Sequence, residues 1–255
     1  MNPPVVCLAH GSRHPEADPT VVDIARAVAA LTGHETRAAY LDFSPLTPTT
    51  VARLLAAEGH TEAVVVPLLF TTAFHMTTDV PDALAAATAE TGVVLHRADG
   101  IGTGDDLAGV LASRVAPGAD HLVLYSVGSS VPGATERVAE LAGDVGRRLG
   151  VPARALTATG GPGTGRDALV THVRDVVRQG AGRVAVEPLF ISPGTLWDTA
   201  VRALAGSTVA AAVTAGAPLG TAVAPLVAAR LTTRLTARPA AHRPHTPGGN
   251  GGTTR

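Results

Sequence analysis

The chain has 255 residues, of which 45% are apolar and 3% aromatic; its 20 basic side chains are all arginine, and the formal net charge is -1. The missing lysine excludes Schiff-base chemistry and the lysine of a Walker-type phosphate loop. A nearly neutral, aromatic-poor chain also lacks the basic face and the stacking rings of a nucleic-acid binder.

Short β-branched runs alternate with Ala-rich segments at helical spacing, the pattern of βα units around a parallel sheet. In the first half this predicts strands over residues 4–9, 35–41, 63–69 and 93–98, with helices over 19–32, 47–58 and 80–90. Gly33 and Gly59 close the first two helices, and Pro48 and Pro81 lie near helix starts, where a missing N–H does little harm. The second half repeats the programme. His121–Val127 followed by Gly128-Ser129-Ser130 echoes Val5–His10 followed by Gly11-Ser12-Arg13, and Glu187-Pro188-Leu189-Phe190-Ile191 answers Val66-Pro67-Leu68-Leu69-Phe70. The offset between copies is 117 at the first motif and 121 at the second. The reading is an α/β protein of two similar units, residues 1–117 and 118–237, each a parallel sheet flanked by helices. Residues 238–255, rich in Pro, Gly and Thr, read as a disordered tail.

The single cysteine, Cys7, lies inside the apolar run VVCLA, so a disulfide framework and a thiolate metal cluster are excluded. The N-terminus shows no leader pattern, and no run approaches the ~18 apolar residues of a membrane span. A cytoplasmic protein with no membrane partner is expected.

The two copies differ where chemistry could sit. His10 closes the first strand, and Val127 stands at the matching place; His75 follows Pro67 by eight residues, and Leu196 follows Pro188 by eight. In a parallel sheet the loops after the strands open at one edge, where ligands bind. His10 and His75 should therefore share a crevice, with Asp42 emerging after the second strand at the same edge. Two imidazoles and a carboxylate suit a divalent first-row metal with open coordination positions. Asp42 has an equally good reading as a turn residue before Ser44-Pro45. Arg13, with the N–H groups of the Gly11-Ser12 turn, could clamp a carboxylate or phosphate. His14, His34, His60, His96, His121 and His172 share no spacing and read as surface or satisfied residues.

His10-Gly11-Ser12-Arg13, Tyr40-Leu41-Asp42, and Val66-Pro67-Leu68-Leu69-Phe70 leading to His75, Asp79 and Pro81 together resemble the sirohydrochlorin chelatases, the small class II tetrapyrrole chelatases. The resemblance covers residues 4–236 and includes the duplication. It implies two chelatase-like domains facing across a cleft, and His10 and His75 as the metal-handling and catalytic histidines of the N-terminal copy. It also implies Asp42 as a further catalytic group, standing where the family carries a glutamate, and Gly11, Ser12 and Arg13 on the substrate. No prosthetic cofactor is implied; Fe²⁺, favoured, or Co²⁺ is a substrate beside the tetrapyrrole. The fused duplication makes a monomer plausible. Two other classes compete: a histidine-based phosphoryl hydrolase, weakened by Ala9 where an arginine would precede His-Gly, and a non-catalytic tetrapyrrole or metal carrier.

Overall fold

A computed structural model describes residues 2–70, 78–129 and 131–237. The first half runs β1 (Val5–Ala9), α1 (Ala17–Thr32), β2 (Thr36–Tyr40), α2 (Pro48–Ala57), β3 (Glu62–Pro67), α3 (Val80–Thr91), β4 (Val94–Arg97) and α4 (Asp105–Arg114). The second runs β5 (His121–Ser126), α5 (Ala134–Leu149), β6 (Ala153–Thr157), α6 (Gly165–Arg178), β7 (Val184–Pro188), α7 (Thr195–Ala205), β8 (Val213–Ala215) and α8 (Ala224–Thr236). Two parallel four-stranded sheets result, ordered β2-β1-β3-β4 and β6-β5-β7-β8. The predicted α/β class and the two-sheet arrangement are borne out.

The local reasons are in the sequence. All five residues of β1 are buried, as expected of a strand flanked by two others and covered on both faces. Burial pushes the thiol of Cys7 up to about 12, which leaves it inert as nucleophile or metal ligand. On α1 the buried residues Ala17, Val21, Ile24, Ala25 and Val28 recur at helical spacing along one stripe. Each large apolar side chain so covered contributes about 1.5–3 kcal/mol. The helix ends at Gly33, whose left-handed φ of 70° lets its N–H reach the Ala29 carbonyl at 2.9 Å. At the start of α2, Thr47 accepts from the Thr50 N–H at 3.2 Å and Pro48 occupies the first turn.

The duplication is visible in the strand register. Val5 pairs with Thr36 and Val64, and Leu122, 117 positions later, pairs with Ala153 and Ala185. The offsets of 117 and 121 therefore recur in the pairing itself. The helices cross the midpoint of the chain. α4 packs against α5 of the second half, and α8 packs against α1 and β3 of the first. Arg230 on α8 donates to the carbonyls of Gly100 (3.0 Å) and Ile101 (2.6 Å) and pairs with Asp106 at 2.7 Å. One continuous core consequently includes Ile24, Leu111, Leu122, Leu141 and Leu226. This cluster bridges the repeat boundary near residue 117, while a second cluster around Leu8 and Leu55 lies within the first repeat and a third around Tyr125 and Trp197 within the second.

One residue of the second sheet departs from the apolar pattern. Glu187, buried at 2% exposure on β7, stands where the first copy has Val66. Burial pushes its carboxyl up to about 7, opposed by the nearby positive charge of Arg114.

Candidate functional site

His10 is the first residue beyond β1, and the pairing of the sheet continues past the strand ends. The Leu41 N–H donates to the Ala9 carbonyl at 3.0 Å, and the Asp42 N–H donates to the His10 carbonyl at 2.8 Å. This close approach needs a glycine at position 11. Gly11 has φ 100°, and a Cβ there would overlap the Asp42 carbonyl oxygen. The second copy is built alike: the Thr159 N–H donates to the Val127 carbonyl at 2.9 Å, and Gly128 also has φ 100° beside the Thr159 carbonyl. Val127 and Thr159 are therefore the structural counterparts of His10 and Asp42.

The carboxyl edges of the two sheets enclose a cavity of about 440 Å³. His10, Leu68, Leu69 and Phe70 line it from the first half, and Val127, Gly128, Thr157, Phe190 and Ile191 are among its second-half walls. Among the described lining residues only His10 carries a titratable side chain. The cavity is otherwise apolar, with hydroxyls from Ser126, Ser129, Thr135 and Thr157. An imidazole on a mostly apolar wall can present one nitrogen to a metal ion or accept a proton.

Gly11, Ser12, Arg13 and Asp42 are not among the residues that line this cavity. Ser12 accepts from the His14 N–H at 3.1 Å and so fixes the turn after Gly11. Arg13 is exposed, its guanidinium carbon 5.0 Å from the centre of the Phe43 ring. Asp42 is exposed and lies outside the cavity lining; its carboxylate accepts from the Phe43 N–H at 2.8 Å, so its turn role is realised. His75 lies outside the described residues, as do Thr71–Phe74 before it and the 238–255 tail. Leu196, matched to His75 by spacing, is 38% exposed at the start of α7.

Three features escaped the sequence reading. Phe43 stacks beside His10, with ring centres 6.3 Å apart and planes at 20°. The His14 Nε2 pairs with the Asp198 carboxylate on α7 at 3.1 Å, tying the loop after His10 to the second half. The second-half wall at Phe190 and Ile191 was accessible in principle, since the Pro188-Leu189-Phe190-Ile191 run aligns with Pro67-Leu68-Leu69-Phe70.

Comparison with known proteins places this geometry. The CbiX family model matches residues 4–117. That match spans the first of the two copies. The matched segment holds β1 to α4 and therefore His10, Gly11 and Asp42. Over the full length, the chain has the fold of SirB from Bacillus subtilis with Fe³⁺, at a TM-score of 0.76 and 20% identity, covering 92% of this chain and 96% of that one. The sirohydrochlorin chelatase SirB from Bacillus subtilis subspecies spizizenii in complex with cobalt matches at TM-score 0.72 and 19% identity over 92% and 95%. DR2241 from Deinococcus radiodurans, a multi-domain protein with structural similarity to chelatases, matches at 0.64 and 19% over 90% of this chain and 54% of its own. No curated protein matches in a sequence search. The expected resemblance to the chelatases is matched by both comparisons: the family model covers the first copy, and the shared fold covers both.

Proposed function

We propose that this protein is a chelatase that inserts a divalent metal, Fe²⁺ or Co²⁺, into a sirohydrochlorin-type tetrapyrrole. The observation that carries the reading is His10, the titratable group among the described lining residues of a mostly apolar cavity between two sheets, within a segment that the CbiX family model matches. The SirB structures obtained with Fe³⁺ and with cobalt support both metals as substrates. No helix among the described residues is long and apolar enough to cross a membrane, which is compatible with a cytoplasmic enzyme.

The residues divide the work as follows. Insertion requires an ion to shed water, to be held over the ring and to displace two pyrrole protons. His10, with His75 as its partner, holds the ion through imidazole nitrogens. Two such ligands bind weakly enough for a metal that must leave. The apolar walls at Val127 and Phe190 receive the flat macrocycle and exclude water from it. Arg13 and the Gly11-Ser12 turn meet peripheral carboxylates. The exposed Asp42 passes released protons to water. Residues 1–117 supply the metal-handling groups and 118–237 the opposing wall, in a chain that works as a monomer with no prosthetic group.

An anaerobic spectrophotometric assay with sirohydrochlorin and Fe²⁺, Co²⁺ or Ni²⁺ tests the proposal. Many turnovers per chain are expected with Fe²⁺ or Co²⁺. A spectral change that stops at one equivalent would make the protein a carrier, and no change at all would refute both readings.

A further inference from the structure

Phe43 occupies a conformation that its residue type disfavours. Its φ of 61° makes it the one non-glycine residue with positive φ among the described residues. Bulky side chains rarely adopt that region. The position with the same offset in the second copy, 160, is a glycine with φ 124°, so the repeat solves the same turn with the residue the backbone prefers. Burial does not account for keeping the ring, since Phe43 is 48% exposed and belongs to none of the core clusters. A strained residue that the core does not require points to a role at the surface where it stands.

Its surroundings indicate the role. The ring lies nearly parallel to the imidazole of His10, at 20° and 6.3 Å between centres, and the Arg13 guanidinium sits 5.0 Å from its centre. The phenyl ring thus neighbours both the imidazole that lines the cavity and an exposed guanidinium. A flat conjugated macrocycle fringed with carboxylates fits this arrangement: its face packs on an aromatic ring while a carboxylate meets the arginine.

We propose that Phe43 is a positioning residue for the tetrapyrrole, giving the macrocycle an aromatic face beside His10. This rests on the chelatase reading. The test compares the full-length chain with Phe43→Gly, Phe43→Leu and Phe43→Trp. Four quantities are followed: the unfolding midpoint, the affinity for metal-free sirohydrochlorin by absorbance titration, and kcat and KM for insertion. Phe43→Gly adopts the residue of the second copy, so its midpoint should equal or exceed that of the parent. Its Kd and KM for the tetrapyrrole should rise roughly tenfold, with kcat nearly unchanged, the loss expected for one aromatic contact. Phe43→Trp should keep parental affinity, and Phe43→Leu should not. Parental Kd and KM in Phe43→Gly, full affinity in Phe43→Leu, or a fall in kcat alone would each overturn the proposal. A parent chain that neither binds nor converts sirohydrochlorin would instead overturn the chelatase reading on which it rests.

Discussion

The carboxyl of Glu187 links a single buried group to the pH dependence of folding. It is 2% exposed, and its pKa is pushed from the ordinary 4.5 to about 7, burial outweighing the opposing charge of Arg114. Between those two values the folded chain binds more protons at this site than the unfolded chain. The site therefore favours folding least when ionised, and stability falls as pH rises through the window and levels off above it. The full shift corresponds to about 3 kcal/mol, of which roughly 2.5 kcal/mol falls between pH 5 and pH 8. Glu187→Gln keeps the volume and removes the titration, and Glu187→Val restores the residue type of Val66 in the first copy. Urea unfolding at pH 5, 6, 7 and 8 should show the parent losing about 2–3 kcal/mol relative to Glu187→Gln across that range. Parallel stability curves for parent and variant would refute the reasoning.

Two further outcomes follow from local geometry. Gly11→Ala forces a Cβ onto the Asp42 carbonyl at a φ of 100° and should lower stability by about 2–4 kcal/mol, whereas Gly33→Ala, with open space around its Cβ, should cost about 1 kcal/mol in the same unfolding assay. His121 and His172, their Nε2 atoms 3.4 Å apart, are both held below the ordinary 6.5 by burial and then by Arg154. NMR titration should find both below that value, with a rise in Arg154→Ala. Because the unfolded histidines take up protons first, their contribution to stability should be lost as pH falls below about 6.5; a titration above 6.5 in the parent would contradict it.

The sheets were legible because runs such as VVCLA and EAVVVP are buried along nearly their whole length, and that demand shows in the residues themselves. Internal repetition made His10 stand out, and the matched hydrogen bonds of His10 with Asp42 and Val127 with Thr159 give the alignment a geometric basis. The crossing of α4 and α8 was not legible, since an amphipathic helix carries the same stripe whichever sheet it covers. The strained turn at Phe43 shows no sign in its residue type, which argues against positive φ. The pairing of His121 with His172 joins a strand start to a helix 51 residues later, a contact no local spacing encodes. Asp42 was read two ways, and its carboxylate is engaged in the turn, accepting from Phe43.

The most direct test of the account is the initial rate of metal insertion into sirohydrochlorin by His10→Ala, measured beside His34→Ala, whose ring instead bonds the Pro3 carbonyl at 2.8 Å. With both variants folded by circular dichroism, His10→Ala is expected to fall to the uncatalysed rate while His34→Ala keeps parental turnover. Parental turnover in His10→Ala would contradict the assignment of metal handling to the cavity between the sheets.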